Sequence, residues 1–597
     1  MEEINSSKNS EVDSSAIRIR HLTRTKRIRR VASFTIGFIG AIDLFSSLTP
    51  PLRRNLHHIR NVLPFGGVTI TASVLVALSG LLLIFLARGV RRGQRQALHV
   101  VILLLAISTI AHIAKGFDLP VALLSIGVLI FLIATRSYFK ARIDLISLRS
   151  GVLTLILGGV LTVLAGSLGI KTAVFVADKR EHQHYVLSWS SAFFASFERL
   201  FAVATVSLPD HIDDIATPVL TTLGISFVLV ALSLAFRPVV DRRFIHRSEN
   251  MGRAFEIVKM YGKGTLDYFA LRDDKKTYLY RESLVAYAIY GGVCLISPDP
   301  IGPPDEREEC FKHFVDFADN QGWTVGVIGA GEDWLDIYKA AGLNTVYMGD
   351  EAVVEVQKFS LQGGNFKGLR QAYNRIAKYG YTIEFYDPLE VDGQLKSECQ
   401  NLIPKTRRGE AERGFSMTLG RIFDPRDKGL LLAVAKDKDQ KTVAFCHFVP
   451  ASGINGFSLD SMRRDPDKSH PNGLIDFVLC ATIFHLKEEG YDSLDLNFAT
   501  FRSYLAGEKG DGTSQKLKKW ILTHLSGSMQ IESLWKFNAK YYPTWLPRYV
   551  AFEAVEMALP TAIAIARAES FAELPVLGRF FTAKPKEDLD EIRKPMR

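Results

Sequence analysis

Apolar residues fall into six long runs in the first part of the chain, at 32–49, 66–88, 97–114, 119–136, 151–170 and 216–236. Each approaches the ~20 residues that carry a helix across a hydrocarbon core, the fourth being the shortest. The polar stretches between them are unevenly charged. Residues 1–30 end in K-R-I-R-R; later come R-G-V-R-R-G-Q-R, R-S-Y-F-K-A-R, and then Arg237, Arg242 and Arg243. The excess of cations on alternate loops places these segments, and everything after 237, on the cytoplasmic side; Arg53, Arg54 and Arg60 dissent. The pattern predicts a basic cytoplasmic tail over 1–30 and a multi-pass membrane domain of about six helices over 31–237. The tail is not a signal peptide, because its charged region is long and no small-residue cleavage site follows. Within the loop 171–215, Phe193, Phe194, Phe197, Leu200 and Phe201 recur near helical spacing, with Glu198 and Arg199 opposite. That predicts an amphipathic helix lying on the membrane. Asp43, near the outer end of the first run, either reaches water or has a functional role.

After about residue 250 the pattern changes to short alternating strands and amphipathic helices. Leu284–Ala288, Val293–Ile296 and Thr324–Ile328 read as strands, and Cys310–Gln321 as a helix. A helix beginning near Asn365 carries Phe366, Leu369, Tyr373 and Ile376 on one side and Lys367, Arg370, Asn374 and Lys378 on the other. In I-N-G-F-S-L-D-S-M-R-R, Phe457 and Leu459 alternate with Ser458 and Asp460. Asp460 and Arg463 share a face only if this strand ends near Met462. Asn472 reads as the N-cap of a helix that Gly490 stops, and Leu494, Leu496 and Phe498 as a buried strand face. A last helix is expected from Ala551 to about Ala568. About 320 residues suffice for two α/β units, placed at 250–385 and 386–570, with a tail at 571–597.

Composition narrows the class. Of 597 residues, 47% are hydrophobic although 23% are charged, and mean hydropathy is +0.10: a membrane part joined to a globular part. The net charge of +10 suits anionic lipid or nucleic acid. The five cysteines form no C-x-x-C pair and read as reduced and structural. The chain has no P-loop, dinucleotide fingerprint, H-E-x-x-H, G-x-S-x-G or EF-hand loop, so nucleotide, metal and serine-hydrolase chemistry have no support.

Several segments resemble, in order, the synthase part of the phosphatidylglycerol lysyltransferase family, the multiple peptide resistance factors. They are G-T-L-D-Y-F-A-L-R-D-D-K (264–275), S-P-D-P-I-G-P (297–303), G-D-E-A-V-V-E-V-Q-K-F-S-L-Q-G (349–363), R-G-E-A-E-R-G-F-S-M, D-S-M-R-R, N-G-L-I-D, L-N-F-A and K-F-N-A-K-Y-Y-P-T-W-L-P-R-Y. The resemblance implies tandem acetyltransferase-like units in a cytoplasmic α/β domain behind a multi-pass α-helical membrane domain at the cell membrane. It implies transfer of an aminoacyl group, lysyl first, from aminoacyl-tRNA to a glycerol hydroxyl of phosphatidylglycerol, in a tunnel between lipid and tRNA openings. The activated ester needs no cofactor. At this length the additional lipid-flipping spans of longer family members are not expected, which puts flipping of the product in doubt. It is similar to an actinobacterial-type relative without the lysyl-tRNA synthetase module fused to mycobacterial members, so a separate synthetase is expected to charge the tRNA. Aminoacyl-tRNA, phosphatidylglycerol and anionic lipid are the expected partners, with homo-oligomerisation through the membrane domain.

The chemistry asks for a base or orienting carboxylate, oxyanion donors and phosphate-binding cations. Asp460 is assigned the first role, as base or as partner to Arg463; a strand-end salt bridge is the bland alternative. Arg463 offers a phosphate-binding fork. Lys536 and Lys540 lie in the segment that resembles the family's tRNA- or phosphate-contacting region, though two lysines at this spacing also describe a wet helix face. Glu412 is a candidate for the amino group of the aminoacyl moiety. His447, Asn497 and Arg502 are candidates for lining the cavity. Lys405, Arg407, Arg408, Lys516, Lys518 and Lys519 suit an acceptor-stem backbone or a solvated face. Alanyl transfer, a diacylglycerol acceptor, a peptidoglycan-precursor aminoacyltransferase and a non-catalytic membrane scaffold remain alternatives.

Overall fold

A computed structural model describes residues 24–46, 67–116, 119–141, 145–181, 187–201, 204–235, 247–407, 414–500 and 535–569. Contacts divide the chain into two compact units. One is Met1–Asp241 with Asp316–Thr324; the other is Arg242–Val315 with Val325–Arg597.

The first unit is helical: α1 (24–46), α2 (Gly67–Arg91), α3 (Arg95–Gly116), α4 (Leu119–Ala134), α5 (Leu145–Glu181), α6 (Trp189–Arg199) and α7 (Asp210–Ala235). Among the described residues three helices are long and apolar enough to cross a membrane: Arg95–Ile113, Gly151–Asp178 and Ile212–Leu232; Pro120–Ala134 is apolar but shorter. Two helices exceed their expected bounds. α1 starts at 24, inside the stretch read as a tail, because Thr25 and Arg29 are buried rather than solvated. α5 runs on to Glu181, through the start of the expected outer loop. There Ile170, Val174 and Ala177 pack with Ala195 and with Leu208, Ile212 and Leu220 at and within α7.

The amphipathic segment at 189–199 is a helix, α6, with Trp189, Phe193, Phe194 and Phe197 turned outward. Arg199 is not on a wet face. It is fully buried, with Nε donating to Asp213 Oδ1 at 2.8 Å and Thr217 Oγ1 at 3.0 Å. Asp43 does not reach water either. It is fully buried, accepting from Ser108 Oγ at 2.7 Å and lying 3.0 Å from His112 Nε2 on α3. The crossing of α1 and α2 is close there: a Cβ on Gly80 would stand 2.8 Å from the Asp43 Cβ.

The second unit is built on one sheet of eleven strands. They are β1 (Lys276–Tyr280), β2 (Ser283–Tyr290), β3 (Val293–Ile296), β4 (Thr324–Ala330), β5 (Asn344–Glu355), β6 (Thr382–Tyr386), β7 (Leu431–Lys436), β8 (Thr442–Ala451), β9 (Gly456–Arg464), β10 (Ser493–Thr500) and β11 (Thr544–Phe552). Their spatial order is β1-β2-β3-β4-β11-β5-β10-β9-β8-β7-β6. Helices α8 (Arg247–Tyr261), α9 (Arg307–Asn320, whose end from Asp316 falls in the first unit), α10 (Leu335–Ala340), α11 (Lys367–Lys378), α12 (Gly393–Arg407), α13 (Leu474–Glu488) and α14 (Ala558–Ala568) complete it. The mixed sheet with helices packed on it agrees with the expected α/β domain behind an α-helical membrane part. The strand β6 crosses the unit boundary expected at 385 and pairs with β7.

Alternation splits the centre of the sheet into two faces. Ala352 and Val354 of β5, Phe457 and Leu459 of β9, and Leu494 and Leu496 of β10 form an apolar face. It packs on α11 through Leu369 and Ile376, and on α13 through Leu474, Phe477, Val478 and Ile483. The opposite face of the same strands carries the polar groups described below. Two local readings are corrected. Gly473, at φ 99°, caps α13, because the chain turns through left-handed backbone that asparagine fits less well than glycine. The stretch from Ala551 is not helical at its start, since β11 continues to Phe552 and α14 begins at Ala558.

Candidate active site

The site begins with two β-bulges in neighbouring strands. In the β8–β9 ladder His447 pairs with Ser461 but Phe448 with Leu459, so Asp460 is the extra residue. The strand stays extended to Arg464 and does not end near Met462. The bulge resets the alternation instead, so that Asp460 and Arg463, an odd number of residues apart, both lie on the face of His447. In the β5–β10 ladder the register shifts between Asp495 and Phe498, and Asn497 takes left-handed backbone at φ 71°. The parallel β9–β10 pairing covers Gly456–Ser458 against Ser493–Asp495, although both strands continue beyond it. Asn497 bridges the interrupted ladder, its Nδ2 donating to Leu459 O at 2.8 Å and Met417 O at 2.9 Å.

His447 and Asp460 are both buried. His447 Nδ1 lies 2.7 Å from Asp460 Oδ2, and Asp460 Oδ1 accepts from the Leu419 backbone N–H. A carboxylate at Nδ1 fixes that nitrogen as the protonated one and leaves the lone pair on Nε2. Nε2 is buried and has no hydrogen-bond partner among the described residues. Asp460, with both oxygens engaged, holds His447 in place. Arg463, partly buried, donates through Nη1 to Met462 O at 2.9 Å.

The segment that delivers the Leu419 N–H and the Met417 carbonyl is itself clamped. Arg272 Nη1 donates to Gly414 O and Thr418 O, at 2.8 and 2.9 Å, and Glu569 accepts from the Ser416 N–H at 3.0 Å. Beside this clamp Lys275 is buried, donating to Ser297 O at 2.8 Å with its Nζ 4.6 Å from the Phe415 ring centroid. Burial pushes its ammonium down to about 7, against the pull of Asp274.

A second polar group lies on the same sheet face. Glu351 on β5 is completely buried; its Oε2 accepts from Arg548 Nη2 on β11 and from Thr265 Oγ1, both at 2.8 Å. Arg548 Nη2 also donates to Thr265 Oγ1 at 2.9 Å. Asp495 accepts from Ser458 Oγ and from the Asn497 N–H. Burial, and then the neighbouring Glu351, push its carboxyl well above the usual range. Burial raises Asp299 to about 7 and Asp267 to about 6, although the Arg548 charge opposes both shifts.

Of the residues singled out in the sequence, His447, Asp460, Arg463 and Asn497 come together. Lys540 does not join them. It reaches Asp476 on α13 at 3.1 Å, on the side of the sheet that α13 covers. Lys536 is exposed on the helical turn at 535–539. Lys405 pairs with Asp465 at 3.2 Å. Glu412, Arg502, Arg408, Lys516, Lys518 and Lys519 lie outside the described residues, as do Arg53, Arg54, Arg60, Arg237, Arg242, Arg243 and the segment 571–597. Glu351, Arg548 and Leu419 are not among the residues singled out in the sequence. The first two stand in motifs quoted above, but Glu351 sits beside Asp350 in a strand that also ends in Glu355, so the sequence does not single it out. A backbone N–H leaves no trace in sequence.

Residues 255–552 match the family model described as phosphatidylglycerol lysyltransferase, C-terminal. The chain is 35% identical over 324 residues to the lysylphosphatidylglycerol biosynthesis bifunctional protein LysX of Mycobacterium ulcerans, covering 53% of this chain and 29% of that protein. It is 32% identical over 398 residues to LysX of Mycolicibacterium vanbaalenii, covering 65% and 36%. It thus spans about a third of the length of these curated relatives. Among solved structures, that of L-PGS from Bacillus licheniformis covers 54% of this chain and 97% of its own, at 24% identity and a TM-score of 0.48.

Proposed function

Residues 255–552 belong to the phosphatidylglycerol lysyltransferase family by its C-terminal domain, and on that premise we propose that this chain transfers an aminoacyl group, lysyl first, from aminoacyl-tRNA to phosphatidylglycerol. The observation that carries the reading is the buried His447–Asp460 pair at 2.7 Å, inside the matched region, with the histidine's Nε2 unpartnered among the described residues. The terminal glycerol hydroxyl attacks the carbonyl carbon of the aminoacyl ester. His447 Nε2 takes the hydroxyl proton as the new ester bond forms. The bond to the tRNA ribose oxygen breaks, and the proton passes from His447 to that oxygen. Asp460 orients the imidazole and stabilises it while charged. Arg463, on the same face, is assigned the lipid phosphate. The donor is already an activated ester, so no cofactor enters the sequence.

In this reading the helical unit holds the chain in the membrane as a multi-pass anchor, with the sheet domain on the cytoplasmic side where aminoacyl-tRNA is found. Adding lysine to an anionic headgroup lowers the negative surface potential and weakens binding of cationic peptides, an antibiotic-resistance role. The test uses the purified full chain in vesicles of phosphatidylglycerol supplied with tRNA charged with labelled lysine. A labelled lipid that stains for both phosphate and free amine is the expected result. An unlabelled lipid fraction, with the protein verified in the vesicles, overturns the reading.

A further inference from the structure

The mechanism above uses one end of the polar sheet face and leaves the other unexplained. Around Arg548 stand four carboxylates: Glu351, Asp495, Asp299 and Asp267. Three of them accept hydrogen bonds from neighbours other than Arg548: Asp495 and Asp299 do so through both oxygens, and Asp267 through Oδ2. Asp495 takes Ser458 and the Asn497 N–H, Asp299 takes Tyr338 and the Gly331 N–H, and Asp267 takes the Gly264 N–H. Glu351 differs. Its side chain is completely buried and its Oε2 is held by Arg548 and Thr265, but Oε1 has no hydrogen-bond partner among the described residues. A buried carboxylate oxygen left bare is costly, and more so beside a second carboxylate. Arg548 and Thr265 both engage Oε2, so what the arrangement lacks is a donor at Oε1. The Arg548–Thr265 brace holds Oε1 in position for such a donor without supplying it.

We propose that Glu351 Oε1 is the acceptor for a primary ammonium of the aminoacyl donor, held on the same sheet face as His447. The carboxylate recognises a compact –NH3+ group through a charge-assisted hydrogen bond. Arg548 and Thr265 are positioning residues that fix its rotamer. Lysine offers two such groups, the α- and the ε-ammonium, and the chemistry at Glu351 is common to both. The inference rests on the functional reading given above.

The experiment pairs Glu351→Gln with three donors, using the full chain in phosphatidylglycerol vesicles: lysyl-tRNA, tRNA charged with the α-hydroxy analogue of lysine, and norleucyl-tRNA, which lacks the ε-ammonium. With lysyl-tRNA the variant is expected to lose about tenfold to a hundredfold in kcat/KM. With the one donor that lacks the recognised ammonium, the unaltered chain suffers a similar loss and Glu351→Gln adds nothing further. Which donor behaves so names the ammonium. An equal loss with all three donors makes Glu351 a structural residue and overturns the inference while leaving the transfer reaction standing. No transfer by the unaltered chain from any donor overturns the functional reading, and the inference with it. Arg548→Lys, which keeps the charge but not the fork, should repeat the donor dependence more weakly.

Discussion

His447 and Asp460 meet at 2.7 Å across a bulge that makes Asp460 the extra residue of its strand. Without the bulge, regular alternation would turn Asp460 and Arg463 to opposite faces. The dyad therefore depends on a backbone irregularity as much as on the two side chains. His447→Ala and Asp460→Asn should each lower kcat by about 10²–10⁴-fold with little change in KM for the lipid. The double variant should be scarcely worse than His447→Ala alone, because the two act as a unit. Initial rates at varied lipid and tRNA concentrations check both statements.

Asn497 combines a left-handed backbone with two side-chain hydrogen bonds, one to the Leu459 carbonyl of β9 and one to the Met417 carbonyl of the segment before Leu419. Asn497→Ala should lose about 2–3 kcal/mol, from those bonds and from a backbone conformation that alanine resists. Asn497→Gly loses the same bonds but keeps the conformation, and should be less destabilised by about 1 kcal/mol. Denaturant unfolding of the two variants side by side measures the difference.

Lys275 predicts a pH dependence. Burial holds its ammonium down at about 7 in the folded chain, below the unfolded value of about 10.4. Between these values the unfolded state binds one proton more, so stability rises with pH from about 7 to about 10. Below about 7 both states are charged, the slope vanishes, and the full cost of the buried charge remains. Lys275→Met should remove this rise, and melting temperatures measured from pH 6 to 10 test it.

The buried contacts of Asp43 with Ser108 and His112 make a prediction for the helical unit. Asp43→Ala strips a partner from two polar groups in an apolar setting and should cost about 2–4 kcal/mol. Asp43→Asn retains an acceptor for the serine and should cost less. Thermal unfolding in detergent orders the variants. An equal, negligible change in both would mean that the contact adds nothing to the unit.

How much of this was legible in the chain depended on whether the cause was local. The long apolar helices are written in unbroken hydrophobic runs, the strands around Val293–Ile296 and Leu494–Phe498 in short apolar or alternating runs, and the helix from Lys367 in its one-sided apolar stripe. The family segments pointed to Asp460 and Arg463. The role of Asp460 was not legible, because it is set by His447 on another strand and by a backbone N–H at Leu419. The faces of Asp460 and Arg463 were not legible either, since a bulge inverts the alternation on which such a reading depends. Arg199 was expected on a wet face, and Asp43 was left between water and a functional role. Each is buried because a partner from another helix, Ser108 or Asp213, satisfies it, and such pairings have no signature at short range.

The place of β11 governs when the site can exist. This strand comes late in the chain yet pairs with both β4 and β5 in the middle of the sheet, and it carries Arg548. Until it is synthesised, β4 and β5 present bare edges to one another and Glu351 has no guanidinium. Assembly of the domain is therefore a late, long-range event, slow by the ordinary dependence of folding rate on sequence separation. On the proposed function, a chain cut short before Thr544 should keep its apolar helices but be aggregation-prone along its open strand edges and without transfer activity.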